Sequence, residues 1–210
     1  MKLIDMQVTG YLDILASDAP APGGGSAAAF CGAQGAGLVA MVGGQTVSKA
    51  RFAEHHEIAQ KAIDGCMPIY SALTAQVDKD TDAYNLVAAA FKMPKETDEE
   101  KAARRKAIAD ATLVATEVPF ETLRLAVEAL EYAESIIGHY NTNCASDLGV
   151  GSMNLHTCAH GAWLNVLINL GGVKDEEKAA HFSEEGKRLI ERADELNAKV
   201  METVNADIMG

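Results

Sequence analysis

Strand-like alternation of apolar and polar residues is almost absent from this 210-residue sequence, which removes sheet-based architectures from consideration. Basic side chains are also few. Eighteen Lys and Arg stand against thirty Asp and Glu, a formal charge of −12. That balance opposes contact with a polyanionic nucleic acid, and any anionic ligand must find a local basic patch. The four cysteines, Cys31, Cys66, Cys144 and Cys158, form no CxxC pair. Each sits among apolar residues, where a free thiol behaves as a small hydrophobe, so a reducing, cytoplasmic setting is expected. The opening MKLIDMQ reaches Asp5 almost at once and lacks a secretory h-region. The run from Ala27 to Val42 is mostly Ala and Gly, holds Gln34, and falls short of the ~20 strongly apolar residues of a membrane span. No membrane segment is expected from it. Internal repeats and low-complexity tails are lacking too.

What is present is helical periodicity. Leu3, Met6, Tyr11 and Leu15 recur at that spacing early, Leu113, Phe120, Leu123, Val127 and Leu130 later, and Leu189, Ile190, Leu196 and Val200 near the end. Breaks fall at Asp18 to Gly25, Gly43 and Gly44, Met93 to Asp98, Gly138 to Asn143, and Gly171 to Lys174. With 48% hydrophobic residues the chain can bury one core. The expectation is an all-α, single-domain bundle over residues 1–210, with about five to six long helices, some of them kinked. Thr97 and Glu100 have capping-box spacing, so a helix should begin near Asp98. Pro68 and Pro119 should kink or divide the periodic segments that contain them. In the helix from Ser26 to Gly43, the residues Ala28, Gly32, Gly35, Ala36, Ala40 and Gly43 leave one face nearly without bulk, which suits tight packing inside the bundle or across a dimer.

Three stretches carry candidate chemistry. In PAPGGGSAAAF, Pro20 to Phe30, three glycines precede a helix whose N-cap is read as Ser26, and bare amides at a helix start favour an anion. No strand and no Gly-Lys-Ser/Thr accompany them, so a P-loop is not supported; a ligand site and a structural cap both fit. In VDKDTDAYNLVAAAFKMPK, Val77 to Lys95, the carboxylates of Asp78, Asp80 and Asp82 cannot share one helix face. Asp80 lies one turn before Tyr84 and on a stripe with Val87, so it is the candidate buried acid or base; a solvated acidic surface is the alternative. Between Asn141 and Leu170, Asn141, Asn143, Asp147, Asn154, Asn165 and Asn169 lie among small and apolar residues. They imply helix caps, a buried polar network or a ligand wall.

His156 and His160 are spaced to chelate a metal, but Thr157 stands where a zincin motif needs Glu and no third ligand is evident, so no metal is expected. His55 and His56 read as solvated, and Cys158 is assigned no nucleophilic role. Lys49 and Arg51, with Lys92 and Lys95, stand beside breaks that could bring them to one end of the bundle, where they would attract an anionic substrate.

PAPGGGSAAA (Pro20 to Ala29), DTDAYNLV (Asp80 to Val87), MPK (Met93 to Lys95), Val118–Pro119, SDLGV (Ser146 to Val150) and NVLINL (Asn165 to Leu170) occur in that order over nearly the whole chain. In this the sequence resembles the cyclodeaminase/cyclohydrolase family of folate enzymes. The resemblance implies an all-helical fold, a homodimer or higher oligomer, and a pocket for a folate, polyglutamylated forms included, with no metal or redox cofactor required. By position it makes Asp80 catalytic and puts Gly23, Gly24, Gly25 and Ser26 on the pocket wall. Asn143 and Asp147 match polar positions of the third motif, and Tyr84, Lys49 and Lys95 complete the expected substrate-binding set. Tyr140 and Asn141 stand where the family often has Gly-Asn. With no formiminotransferase segment in the sequence, hydrolysis of 5,10-methenyl-tetrahydrofolate to the 10-formyl compound is expected ahead of formimino-folate cyclodeamination. A non-catalytic helical assembly protein is the remaining alternative.

Overall fold

The computed structural model of the chain describes residues 2–210 and contains, among them, six α-helices and no β-strand. They are α1 (Val8–Leu15), α2 (Gly24–Val47), α3 (His56–Phe91), α4 (Asp98–Ser135), α5 (Ala145–Leu170) and α6 (Glu176–Met209), with 3-10 turns at Leu3–Asp5, Ala50–His55 and Thr142–Cys144. The expected all-α bundle is therefore observed, as five long helices and a short first one. Helix α4 begins as its sequence signals: Glu100 N donates to Thr97 Oγ1 at 3.2 Å and Thr97 N donates to Glu100 Oε2 at 3.1 Å. Asp175 caps α6 with its side chain alone, accepting from Lys178 N at 3.0 Å.

Three local expectations are corrected. Gly43 and Gly44 do not end a helix, because α2 runs on to Val47 and the missing Gly43 side chain lets the Ala59 carbonyl and Ile63 pack against it. Of the kink or division expected at Pro68 and Pro119, division does not occur, because α3 and α4 both continue through them. Ser26 is not the cap of α2. Gly23 is, and Ser26 lies in the first turn with its side chain buried against α3.

Helix α2 is the centre of the bundle, packed between α3 and α5, which both run antiparallel to it. Its small face answers to those two neighbours: Gly32 abuts Cys158, and Gly35 abuts Leu155 and the Gly151 carbonyl. The small face therefore serves close packing inside the bundle. Cys158 is fully buried there, and burial pushes its thiol well above the usual range, consistent with an inert side chain. All four cysteines are free. By length and composition α2 could cross a bilayer, but more than half of its most apolar window is buried inside the bundle, as in a core helix.

Helix geometry turns these contacts into opposite predictions. A Cβ at Gly35 would sit 2.7 Å from Leu155 Cγ and 2.8 Å from the Gly151 carbonyl, whereas one at Gly44 meets nothing within 4 Å. Gly35→Ala should lower unfolding free energy by about 1–2 kcal/mol, overpacking outweighing the helix-propensity gain. Gly44→Ala should raise it by about 1 kcal/mol. Urea denaturation of both variants checks the pair.

Candidate functional site

Because α3 is longer than α2, its last turns project beyond the start of α2, and the α5 C-terminus and Ala115 of α4 close the space beside them. The result is a cavity of about 310 Å³ lined by Pro20, Ala21, Gly23, Gly24, Gly25, Asp80, Ala83, Tyr84, Val87, Ala115, Asn165, Ile168 and Asn169. Among the described residues, Asp80 is its one charged side chain, and no lysine, arginine or histidine lines it. A larger groove of about 930 Å³ runs between α3, α4 and α6, but it is more open and many of its charges are already paired. There Lys61 meets Glu57, Arg124 meets Glu121 and Glu128, and Arg188 meets Glu185. The smaller cavity, with its uncompensated carboxylate, is the better candidate site.

Asp80 is held by the start of α2. Ser26 Oγ lies 2.9 Å from Asp80 Oδ2, 2.9 Å from the Val77 carbonyl oxygen and 3.2 Å from Thr81 Oγ1, so its single proton has competing acceptors. The Ser26 amide also bonds the carboxylate. Gly25 is the one glycine of the run that the packing requires: a Cβ there would lie 2.0 Å from Asp80 Oδ1, so only a residue without a side chain lets the carboxylate reach the helix start. The anion at this N-terminus is thus the protein's own. Burial raises the Asp80 pKa above the usual carboxylate value, and the two Ser26 hydrogen bonds partly oppose the rise.

The neighbouring carboxylates do other things. Asp78 accepts from Leu3 N at 2.6 Å, tying the N-terminal segment to α3, and Asp82 is exposed. Sequence reasoning missed Tyr11 of α1. This side chain is 5% exposed, its hydroxyl has no hydrogen-bond partner, and burial together with the charge of Asp80 raises its pKa. Among the described residues this phenol has no acceptor, and it lies behind the cavity wall rather than on it.

Asn165 and Asn169 were read as a possible ligand wall and do line the cavity. The placement of Asn169 depends on Pro119. Proline has no amide to offer the carbonyl four residues earlier, and here that carbonyl, Ala115 O, receives Asn169 Nδ2 at 2.8 Å instead. Asn169 Nδ2 also donates to Asn165 O at 3.0 Å, which commits both amide protons and leaves the side-chain oxygen as an acceptor for a ligand. Asn165 Nδ2 donates to Gly161 O at 2.9 Å and keeps one proton in reserve.

Gly23, Gly24, Gly25, Ser26, Asp80 and Tyr84 are thus brought together, whereas Lys49, Lys95, Asn143 and Asp147 are not part of the cavity wall. Lys49 follows the C-terminus of α2, about 36 Å along the axis from Gly24 at 1.5 Å per residue. Asn143 and Asp147 lie at that same far end, where Asn141 N donates to Thr46 Oγ1 at 2.9 Å and the Cys144 thiol senses both Asp147 and Lys49. Lys92 and Lys95 follow the C-terminus of α3, and because α2 and α3 are antiparallel the two basic pairs sit at opposite ends of the bundle. His55 and His56 are half-buried rather than solvated; their rings contact His139 and the Lys49 carbonyl. A third donor does accompany His156 and His160: Asp194 Oδ1 of α6 lies 2.6 and 2.8 Å from their Nε2 atoms.

Fold and site together define a helical bundle with a ligand cavity organised around one carboxylate seated on a glycine-rich helix start. The chain belongs to the formiminotransferase-cyclodeaminase family, whose model matches residues 7–188. It is 37% identical to the methenyltetrahydrofolate cyclohydrolase of Methylorubrum extorquens, over 94% of this chain and 95% of that one. It is 34% identical to the formimidoyltransferase-cyclodeaminase of Gallus gallus over 95% of this chain, and there it spans only 37% of the relative's length. The solved structure of formiminotetrahydrofolate cyclodeaminase from Thermotoga maritima shares the fold, with a TM-score of 0.86 at 22% identity, covering 97% of this chain and 98% of that one.

The Pro119–Asn169 arrangement is open to a double-mutant cycle. Asn169→Leu should cost about 1–3 kcal/mol by leaving the Ala115 carbonyl without its donor. In a Pro119→Ala background the new amide takes that carbonyl, and the cost of Asn169→Leu should shrink by at least about 0.5 kcal/mol. Equal costs in both backgrounds, measured by urea denaturation, would show the two residues uncoupled.

Proposed function

We propose that the chain is a folate one-carbon enzyme, a methenyltetrahydrofolate cyclohydrolase. The observation that carries this reading is the lone charge of the cavity, a half-buried carboxylate with no cation beside it. Such a site selects a cationic or polar head over an anionic one. The substrate, 5,10-methenyl-tetrahydrofolate, carries a positive charge delocalised over N5, the bridging carbon and N10. Support also comes from the 37% identity over nearly the full length of a protein named for this reaction.

In the mechanism this supports, the Asp80 carboxylate faces the amidinium and removes a proton from an attacking water, whose oxygen bonds to the bridging carbon. The tetrahedral adduct then collapses. Asp80 returns its proton to N5 as the C–N5 bond breaks, and the regenerated carboxylate takes the adduct's hydroxyl proton and releases it to solvent, which leaves the formyl group on N10. The Asn169 oxygen and the free Asn165 proton offer the folate ring hydrogen bonds. Because no cation lines the cavity, the glutamate tail extends away from it, which a polyglutamylated substrate tolerates. Catalysis on this route uses side chains alone, with no metal or redox cofactor.

Cyclodeamination is the second reading. Relatives of the fused enzyme are 31–34% identical, and a carboxyl group with a raised pKa suits protonation of departing ammonia. The helical scaffold reading predicts neither activity and no folate binding. We further propose a soluble, cytoplasmic homodimer. Its support is exposed apolar surface at the cavity rim, where Ile168 is 81% and Leu164 66% exposed on α5. A monomer mass in sedimentation equilibrium would refute the dimer.

The decisive assay follows the absorbance of 5,10-methenyl-tetrahydrofolate with purified protein, alongside ammonia release from formimino-tetrahydrofolate. Asp80→Asn should lower kcat/KM for ring opening at least about 100-fold. The base must be ionised, so kcat/KM should rise with pH through a pKa above the ordinary carboxylate value, and that limb should vanish in the variant. Linkage has the corresponding sign: a raised folded-state pKa favours the neutral form, and ionisation costs stability as pH rises through it. Asp80→Asn should therefore be at least as stable as the parent at neutral pH, which separates lost chemistry from unfolding. Full activity in Asp80→Asn would overturn the assignment.

A further inference from the structure

Outside the folate cavity the densest group of ligating side chains lies on the surface where α5 meets α6. His156 and His160 are one turn apart on α5, and both turn Nε2 toward the same oxygen of Asp194, at 2.6 and 2.8 Å. Their rings lie 4.5 Å apart, and the three donor atoms all fall within 4.8 Å of one another. The register that brings them together is pinned one turn away. Ser152, fully buried and four residues before His156, donates to Asn197 Oδ1 at 2.9 Å, and Asn197 is three residues after Asp194. The two helices therefore meet in a fixed alignment at this point.

None of these residues lines the folate cavity. His160 precedes Asn165 by five residues, which turns it about 140° around α5, away from the cavity wall. We propose that His156, His160 and Asp194 form a site for a late first-row divalent metal ion, with Zn²⁺ the reference occupant, that clasps α5 to α6. The chemistry of the donors selects that class. Two imidazoles and one carboxylate suit Zn²⁺, Ni²⁺ or Cu²⁺, whereas Ca²⁺ and Mg²⁺ prefer an all-oxygen set.

Three protein donors with exposed surroundings leave a fourth position for water, the pattern of an open rather than a closed zinc site. Bonds of about 2.0–2.1 Å in tetrahedral geometry separate donor atoms by about 3.3 Å. The Asp194 oxygen must therefore draw back from the imidazoles by about half an ångström on loading. Its side chain is 53% exposed and has room to do so. The net charge of −12 favours cation accumulation at the surface.

The test uses the full chain, freed of metal with a chelator and titrated with Zn²⁺ by calorimetry and thermal unfolding. One Zn²⁺ should bind per chain with a Kd of ~10 μM or tighter. At about 100 times that Kd, Tm should rise by on the order of 5 °C. His156→Gln and His160→Gln, at half-exposed positions, should each weaken binding about 100-fold and abolish the Tm rise. The His55→Gln/His139→Gln variant, which removes the other close histidine pair, should keep both. Co²⁺ bound to the parent protein should show the visible absorption of a four- or five-coordinate ion, a readout that needs no variant. Absence of any Zn²⁺-dependent Tm shift up to ~1 mM, or a shift that survives in His156→Gln/His160→Gln, would overturn the site. Ring-opening activity of these variants should match the parent, so the outcome is independent of the folate reading.

Discussion

The contact between the Asp80 carboxylate and the first turn of α2 is the constraint on which the functional end of the molecule rests. A half-buried anion needs partners, and here they are the Ser26 hydroxyl and amide at the positive end of a long helix. The contact exists only because Gly25 lacks a side chain. It sets the spacing of α2 and α3, leaves the last turns of α3 overhanging, and so opens the cavity beside it. The same bonds oppose part of the pKa rise that desolvation imposes.

Elsewhere the bundle solves its polar problems by exchanging partners between helices. Pro119 withholds an amide inside α4, and Asn169 of α5 supplies the missing donor, which at the same time orients Asn169 for a ligand. Ser152 and Asn197 fix α5 against α6, and Leu3 with Asp78 fixes the N-terminal segment against α3. Each pairing joins residues far apart in the chain, so each contributes to alignment as well as stability.

Much of the local structure was legible beforehand. Helical periodicity, the Thr97–Glu100 capping box and the small face of α2 are properties of neighbouring residues, and they appear as read. The register of Asp80 with Tyr84 and Val87 likewise singled out the one acid of three that lines the cavity. Misreadings arose where a local rule met a tertiary partner. Gly43 looked like a helix stop until Ile63 and Ala59 filled its place, and Ser26 looked like a cap until α3 offered its side chain better acceptors. Lys49, Asn143 and Asp147 were grouped with the site because sequence order does not reveal that antiparallel packing sends them to the other end.

By itself, the sequence determined the helices, the glycine-rich entrance and the family, because each depends on residue type and short-range spacing. Which side chains share a cavity was decided only by the tertiary structure. Helix direction and register bring Asp80, Asn165 and Asn169 to one end of the bundle, and Asp194 to His156 and His160. Those alignments come from long-range packing of buried faces, which no local pattern along the chain encodes.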